Sequence, residues 1–292
     1  MRFVRPEVFL IAKTNVLDDG VKEWLEWLHV GKVTIEQFLE RFKLDGDPLR
    51  KLNDIPTVPK TPAERLIELA GRRCYMSFEV GLNPNVTQIR KEISDYIKNI
   101  LKSGHGSVLE HYSFTFAIEG VSRVFTGEMN RHRAGMAISE GSMRYIRYED
   151  IPMVETLMLR ITEEDSHDLI VKKSKTRSLF QRMFEADEVG YREFCEIWKE
   201  ELAPDSKFAM KKHITSLGRR IIGMGVATGG VWTGNVRALR HLLAMRTSEA
   251  AEEEIFEVAV MMLKIMMKAE PVLFGDFSMD EKGFWGPEYV KV

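Results

Sequence analysis

The sequence predicts one mixed α/β domain, of the α+β kind, spanning residues 1–292 and carrying a small helical insert near its N-terminus. Residues 7–12 (EVFLIA) form a short apolar run of strand length. Residues 113–118 (SFTFAI) alternate apolar with smaller or polar side chains, as a half-buried strand does. Helical spacing of apolar residues prevails in most of the remaining chain. With 292 residues, 44% of them hydrophobic, the chain can bury a large core.

The first strand is followed by a predicted turn at Asp18, Asp19 and Gly20. Residues 21–60 are predicted to be the helical insert, because apolar residues recur there at helical spacing and a proline-rich stretch closes the segment. The apolar positions are Trp24, Leu25, Trp27, Leu28, Ile35, Phe38, Leu39 and Phe42, and the prolines are Pro48, Pro56 and Pro59.

Two helices are predicted between the insert and the second strand. Thr61 can cap the first helix, Pro62 suits its first position and Glu64 can complete a capping box, so we expect a helix from here to about Cys74. The second is an amphipathic helix over residues 86–102 that stops at Ser103 and Gly104.

The second half of the chain is predicted to be mainly helical. Residues 155–202 are expected to be mostly helix with a break near Gly190, and residues 207–222 form another helix. The glycine-rich run 223–235 (GMGVATGGVWTGN) follows a helix rather than a strand, which makes it a poor dinucleotide or P-loop fingerprint. Asn235 is the expected N-cap of a helix reaching Arg246. Residues 252–254 (EEE) open a methionine-rich helix to about Ala269, whose methionine stripe indicates core packing.

Composition excludes several classes of protein. The formal net charge of −2 and the pI near 6.4 argue against a general nucleic-acid binder, which needs a broad excess of cations. Cys74 and Cys195 are too few for a disulfide framework, and the N-terminus carries no cleavage signature. The apolar stretch 258–267 contains Lys264 and is too short to span a bilayer. We therefore expect a cytoplasmic protein with no membrane role.

The strongest functional signal is residues 130–148 (NRHRAGMAISEGSMRYIRY). Five basic side chains would repel one another on a compact element unless a polyanionic ligand, acidic partners or water neutralised them. Arginine grips phosphate bidentately, and Gly135 and Gly141 allow close approach of backbone N–H groups. The segment therefore favours a phosphate-ester site over a solvated helix face or a nucleic-acid patch. The five basic residues are Arg131, His132, Arg133, Arg144 and Arg147.

Two other polar groups are candidates for chemistry. The segment GHGSVLEH places His105, Ser107, Glu110 and His111 just before a strand, but their spacing does not match a helical zinc motif, and we predict no metal. On the last arginine-rich helix, Arg237 and His241 share a face, whereas Arg246 lies about half a revolution away at about 3.6 residues per turn. Either the site is extended, or the two faces serve sites shared between subunits.

Four segments, in this order, give the chain a resemblance to the flavin-dependent thymidylate synthase (ThyX) family. They are GHGSVLEH before a strand, SRVFTGEMNRHR leading into EGSMRY, Arg219 ahead of a threonine-containing segment, and NVRALRHLLAMR. The resemblance covers most of the chain after the insert. It implies a mixed central sheet flanked by helices, and a homotetramer whose subunit interfaces create the sites.

The resemblance implies reductive methylation of deoxyuridine monophosphate (dUMP) to thymidine monophosphate (dTMP). FAD would be the cofactor, NADPH the reductant and methylenetetrahydrofolate the one-carbon donor. Two alternatives stay open: a related flavoenzyme that alkylates or reduces a different nucleotide, and a nonenzymatic RNA-binding protein. The first would show flavin absorbance that responds to another base, and the second would be colourless and bind RNA with a steep salt dependence.

Site residues carried over from the resemblance fall into two sets. Arg246 is expected to be the catalytic residue that favours ionised uracil, and His105 to line the flavin or folate entrance. Ser142 is expected to bind nucleotide rather than act as a nucleophile, since no adjacent base is evident. The FAD contacts implied are Ser107, Arg131, His132, Arg133, Glu140, Asn235, Arg237 and His241. The nucleotide contacts implied are Glu128, Arg131, Glu140, Gly141, Ser142, Met143, Arg144, Arg219 and Arg246.

The chain also departs from the family pattern. One residue more than usual lies between Arg133 and Glu140, and Met136 stands where a serine is common, so we expect the loop to bulge or shift. The segment after Arg246 reads TSEAAEEE, without the usual His and Gln, and residues 21–60 have no counterpart in compact members. These differences bear most directly on substrate identity.

Overall fold

The computed structural model describes residues 2–43, 61–90, 92–148 and 150–291. The strands are β1 Phe3–Val4, β2 Glu7–Lys13, β3 Ser113–Ser122, β4 Met136–Glu140, β5 Met153–Val154, β6 Ala227–Asn235, β7 Phe277–Met279 and β8 Trp285–Pro287. The main sheet is antiparallel throughout, in the order β2, β3, β6, β4. Parallel pairing is confined to β1 and β5, and β7 and β8 form a separate hairpin.

Ten α-helices are described. They are α1 Asp18–Trp27, α2 Lys32–Lys43, α3 Pro62–Tyr75, α4 Ile93–Ser103, α5 Arg123–Met129, α6 His167–Ile197, α7 Phe208–Gly218, α8 Val236–Arg246, α9 Glu253–Ala269 and α10 Pro271–Phe274. Short 3₁₀ helices cover Gly106–His111 and Leu157–Leu159. No helix in the described ranges is long and apolar enough to cross a membrane.

The main core lies between one face of the sheet and the helices that cover it. The predicted alternation in β3 is confirmed, since Phe114, Phe116 and Ile118 are all fully buried. Trp232 of β6 joins them, and apolar residues from α3, α4, α8 and α9 complete the cluster. The predicted α+β fold, a sheet flanked by helices, is therefore confirmed.

The most accurate predictions were those that rested on N-cap residues at the start of a helix. Thr61 caps α3, its Oγ1 accepting a hydrogen bond from the Glu64 N–H at 3.2 Å, and Pro62 occupies the first position. Asn235 caps α8, its Oδ1 accepting from the Ala238 N–H at 2.8 Å. The methionine-rich helix α9 ends at Ala269 as predicted, and Met262 and Met266 are buried in the core.

The described part of the predicted insert is helical and contains α2 and most of α1. Leu25, Leu28 and Ile35 of this region pack into a small core against Leu69 of α3 and Phe78. The proline-rich end of the insert, residues 44–60, lies outside the described residues.

Several boundary predictions were wrong. Asp18, Asp19 and Gly20 begin α1 instead of making a turn, because the carboxylates favour the positive end of the helix dipole. The helix predicted from residue 86 begins only at Ile93. The Asn83 side chain accepts from the Asn85 N–H in a turn before this segment, and the Arg90 carbonyl accepts from the Arg72 side chain. 

The third wrong prediction is the break near Gly190. The helix α6 runs unbroken through this residue, and it begins only at His167, where the Ser166 side chain caps it. The cost of one internal glycine, about 1 kcal/mol, is offset by packing of the neighbouring buried residues Phe184 and Tyr191.

Two of the four main strands were not predicted. The glycine-rich run 223–235 supplies β6, a central strand, and residues 136–140 of the basic segment supply β4. Glycine is needed at Gly234, where a Cβ atom would lie 2.6 Å from the Met136 sulfur of the neighbouring strand. Close pairing of β4 with β6 therefore explains the glycine content that periodicity could not interpret.

Candidate active site

The end of α8 and the turn after α5 meet in a cluster of charged side chains, here called the Arg246 cluster. It consists of Arg246, Glu128, Arg131, His132 and His241. The Arg246 side chain, 14% exposed, donates from Nε to His132 Nε2 at 2.8 Å and lies 2.9 Å from a Glu128 carboxylate oxygen. Arg131, far more exposed, pairs loosely with the same carboxylate at 3.5 Å. The His132 and His241 rings are 6.4 Å apart.

This geometry determines the protonation state of His132. A guanidinium can only donate, so His132 Nε2 must accept and the ring carries its proton on Nδ1. Burial lowers the pKa of His132 from its ordinary value, and the neighbouring Arg246 and His241 lower it further, against an opposing effect of Glu128. His132 is thus a neutral acceptor that orients Arg246.

The turn carrying Arg131 to Arg133 is attached to the start of α8. The Asn235 N–H donates to the Gly135 carbonyl at 3.1 Å, while the Asn235 side chain caps the helix. Gly135 has φ +69°, and a Cβ atom there would lie 2.5 Å from Asn235 Nδ2. The group that approaches Gly135 closely is therefore the Asn235 side chain of the same chain.

The expected bulge in the signature segment is not found. From Met136 to Glu140, β4 pairs with β6 in unbroken register. Any additional residue between Arg133 and Glu140 is therefore accommodated in the turn before Met136, where Gly135 adopts its left-handed conformation. The backbone of the strand that ends at Glu140 is regular.

Arg237 lies against the 3₁₀ helix Gly106–His111, which contains Ser107 and follows His105. Arg237 forms an ion pair with Glu110 at 2.6 Å, and both side chains are nearly half exposed. A Cβ atom at Gly106 would lie 2.5 Å from Arg237 Nε, so glycine lets the guanidinium lie against the backbone. Ser107 and His105 are exposed, and the His105 ring stacks on Tyr75 at 6.0 Å.

A second arrangement surrounds Glu140 at the end of β4. Arg123 lies 3.1 Å from one Glu140 carboxylate oxygen, and Asn130 donates to the other at 3.0 Å. The Asn130 side chain also accepts from the indole of Trp232, which fixes its orientation. Arg123 donates in addition to the Gly141 carbonyl at 2.5 Å. Glu140 is therefore held rigidly, and its charge balances that of Arg123.

Next to Glu140 lies an open cleft of about 400 Å³. Its two further arginines, Arg219 and Arg220, are exposed and pair with no carboxylate in the described chain. They follow α7 instead of lying within it as predicted, because i to i+3 bonding tightens the turn after Gly218. The cleft is lined by Arg123, Glu140, Ser142, Met143, Arg219, Arg220, Ile222, Gly223, Met224 and Val226.

The structure divides the residues assigned to the nucleotide between two places. Glu140, Ser142, Met143 and Arg219 line the cleft. Gly141 lies at its border. The remaining residues do not join them within one chain: Glu128, Arg131 and Arg246 belong to the Arg246 cluster, and Arg144 is exposed and does not line the cleft.

The residues assigned to FAD lie in several parts of the structure. His132, Arg131 and His241 lie in the Arg246 cluster, Asn235 is at the start of α8, Arg237 lies against the 3₁₀ helix, and Ser107 lies within it. Glu140 is in the cleft, and Arg133 is exposed in the turn that precedes β4. 

Sequence reasoning missed three residues of the cleft region. Arg123 and Arg220 line the cleft, and Asn130 fixes Glu140. Arg123 and Asn130 lie within SRVFTGEMNRHR, so the segment was singled out although these members were not. In the described part of the chain, no group of three or more His, Cys, Asp or Glu residues has metal-binding geometry.

A buried contact positions the helix that carries Arg123. Ser122 caps α5, its Oγ accepting from the Val124 and Phe125 N–H groups at 3.1 and 3.2 Å. Its N–H and hydroxyl donate to the two oxygens of Glu254 in α9, at 2.6 and 2.5 Å. Burial raises the pKa of Glu254, and the two hydrogen bonds from Ser122 oppose that rise.

The fold and site together define an α+β protein with an arginine-lined cleft beside a central antiparallel sheet. Residues 58–272 match the model of the Thy1 family, thymidylate synthase complementing protein. A flavin-dependent thymidylate synthase of Corynebacterium efficiens is 33% identical over 219 residues, 75% of this chain and 81% of that protein. The same enzyme of Mycobacteroides abscessus is 34% identical over 73% of this chain and 79% of its own.

The chain therefore belongs to the Thy1 (ThyX) family, as its motifs predicted. A crystal structure of a UMP/dUMP methylase, PolB from Streptomyces cacaoi with 5-Br dUMP, has a similar fold. The TM-score is 0.56 at 16% identity, covering 94% of this chain and 96% of that one.

Proposed function

We propose that this protein converts dUMP to dTMP by reductive methylation, with FAD as cofactor, NADPH as reductant and methylenetetrahydrofolate as carbon donor. Membership of a family whose relatives are flavin-dependent thymidylate synthases supports the reaction type. The observation that carries the substrate class is the cleft in which Arg219 and Arg220 have no carboxylate partner among the described residues. Two such guanidinium groups in a concave site suit a phosphate monoester.

Within this proposal, the cleft binds the nucleotide through charge and hydrogen bonds. Arg219 and Arg220 contact the phosphate, and the Ser142 hydroxyl adds a hydrogen bond. Ser142 accepts from the Arg144 N–H at 3.4 Å, and no histidine or carboxylate in the described residues hydrogen-bonds to it. A hydroxyl without an adjacent base is a weak nucleophile, so a binding role suits it better.

Arg246 acts as an oriented cation in this proposal. Glu128 and His132 hold its guanidinium before any ligand arrives, so little reorganisation is needed when negative charge develops on a uracil ring beside it. Because Arg246 and Arg219 lie in different places in one chain, we propose that the complete site forms between subunits of a homotetramer.

The residues assigned to FAD suit an anionic dinucleotide. Arg131 and Arg133 are exposed, and Arg237 lies against the backbone that Gly106 leaves open, where Glu110 is its ion-pair partner among the described residues. This donor set would hold the phosphates, and His132 and His241 would lie against the ring system. FAD, when bound, supplies the electrons, and the protein positions its partners.

The test is purification followed by assay of dTMP formation with and without methylenetetrahydrofolate. We expect a yellow protein whose flavin absorbance responds to dUMP, and dTMP production that requires the folate. Arg219→Ala should raise the KM for dUMP at least tenfold, while Arg192→Ala, which removes an exposed arginine of α6, should not. A colourless protein that forms no dTMP would refute the proposal. Preference for UMP or another base would instead support the related flavoenzyme.

A further inference from the structure

The long helix α6 has an outward face that no part of the described chain covers. Its inward face packs into the core through Phe184 and Tyr191, and Lys173 and Glu188 are also buried on that side. On the opposite side, six residues are all exposed. In order, they are Lys175, Leu179, Arg182, Ala186, Val189 and Glu193.

These six residues follow the spacing of a coiled-coil seam. Successive members are separated by alternating steps of four and three, the spacing of heptad a and d positions. Leu179 and Val189 are apolar and well exposed, at 46% and 49%, and Met183 beside the seam is 56% exposed. They flank the two central positions, Arg182 and Ala186. A helix in a monomer would ordinarily carry polar residues here.

Charge along the same seam is segregated. Lys175 lies at the N-terminal end and Glu193 at the C-terminal end, and neither has a hydrogen bond or ion pair to the rest of the described chain. Basic residues dominate the first half of α6 and acidic residues the second, as the sequence KKSKTR followed by EADE shows. The face therefore complements itself when the direction of one copy is reversed.

We propose that α6 is a self-association surface that packs antiparallel against α6 of a second copy of this chain across a two-fold axis. A seam symmetric about position 184 pairs Lys175 with Glu193 of the partner subunit and Leu179 with the partner's Val189. Each such layer combines an a position with a d position, which is how antiparallel coiled coils pair. Parallel packing would instead bring Lys175 against its own copy.

The proposal does not rest on the reaction that the protein catalyses, since it concerns only the mass of the assembly. In an isologous interface every layer occurs twice, so one charge change creates two like-charge contacts. Lys175→Glu alone or Glu193→Lys alone should therefore weaken the dimer strongly. The double variant K175E/E193K restores opposite charges in both layers and keeps the net charge of the wild type.

The experiment measures the mass of the full-length wild-type protein and these variants by light scattering over a dilution series. We expect each single variant to halve the mass of the assembly and the double variant to regain the wild-type mass. Lys102→Glu on the exposed side of α4 is the matched control and should leave the mass unchanged. Circular dichroism shows whether every variant is folded.

Three results would overturn the proposal. The wild-type protein could be monomeric at micromolar concentration, or the single variants could keep its mass while folded. The single variants could also lose mass that the double variant fails to recover, which would exclude this antiparallel register. Leu179→Glu provides a second measurement, because an acidic group in the apolar layer should halve the mass whatever the contribution of the end charges.

Discussion

At the scale of single residues, the most informative contact is the one between Arg246 and His132. A neutral imidazole that accepts from a guanidinium is an unusual partner, because it orients the cation without cancelling its charge. Glu128 supplies the compensating carboxylate on the other side at 2.9 Å. Arg246 thus keeps a fixed direction, which is what electrostatic stabilisation of a developing anion requires.

Replacing Arg246 should separate nucleotide chemistry from flavin binding. We expect Arg246→Ala to retain FAD and to lose nucleotide turnover by about 100-fold or more, since an oriented charge is removed from the reacting ring. Arg237→Ala, on the other face of α8, should lower the flavin content of the purified protein. Flavin absorbance and dTMP formation measure the two effects. Loss of FAD from Arg246→Ala with unchanged dUMP affinity would contradict this assignment.

The pKa of His132 provides a second test of the same contact. The folded-state pKa lies below the ordinary 6.5, so this neutral histidine contributes stability that is complete above that pH and is lost as the pH falls through the folded pKa. Removing the neighbouring cation in Arg246→Ala should raise the pKa only in part, because burial is the larger cause. Histidine NMR titration of wild type and variant measures the change. An unchanged pKa of His132 would mean that the charge of Arg246 does not affect this ring.

At the scale of elements, the position of α5 depends on a contact from another part of the chain. Ser122 is at once the cap of α5 and the donor of two hydrogen bonds to Glu254 in α9. The next residue is Arg123, which holds Glu140 and lines the cleft. The acidic start of α9 therefore determines where the cleft arginine lies, although the two are far apart in sequence.

We expect Ser122→Ala to destabilise the protein by about 1–2 kcal/mol, the cost of a lost N-cap, and to raise the KM for dUMP as well. The matched control is Ser166→Ala, which removes the N-cap of α6 away from the cleft. The Ser166 Oγ accepts a hydrogen bond from the Leu169 N–H. Urea unfolding and steady-state kinetics distinguish the two. If both variants raised the KM equally, the effect would reflect general destabilisation and not the position of α5.

At the scale of the whole molecule, the C-terminal segment is attached to the core through one buried arginine. Arg240 of α8 pairs bidentately with Asp276, at 2.6 and 2.8 Å, and both side chains are almost fully buried. The same guanidinium donates to the carbonyls of Leu273 and Tyr289. It therefore connects α8 to the chain before β7 and after β8.

Removing one partner of this pair should be costly, because it leaves a buried charge without compensation. We expect Arg240→Ala to lower the free energy of unfolding by about 3–5 kcal/mol. The exposed pair of Lys282 and Glu249, with side chains 68% and 69% exposed, is the control, and Lys282→Ala should leave the midpoint of urea unfolding unchanged. Equal midpoints for the two variants would show that burial does not strengthen the Arg240 contact.

Two helix starts were predictable because their signals are local. Thr61 with Pro62 and Asn235 before Val236 each place the capping group within three residues of the N–H that it satisfies. The strands β4 and β6 were not predictable in this way. The glycines and mixed polarity of these strands are explained only by contact with the neighbouring strand, as Gly234 beside Met136 shows. Pairing between distant segments leaves no periodic pattern in the sequence of either segment.

The sequence by itself determined the helical content, the family and the identity of the basic residues, since motifs and capping depend on neighbours along the chain. Only the tertiary structure decided how those residues are grouped. It placed Arg246 outside the cleft that Arg219 lines, joined His132 to Arg246 as a neutral acceptor, and added Arg123 and Arg220 to the cleft. It also showed that Asn130 holds Glu140. The physical reason is that distance and burial, which set charge compensation and pKa, arise from packing between segments far apart in sequence.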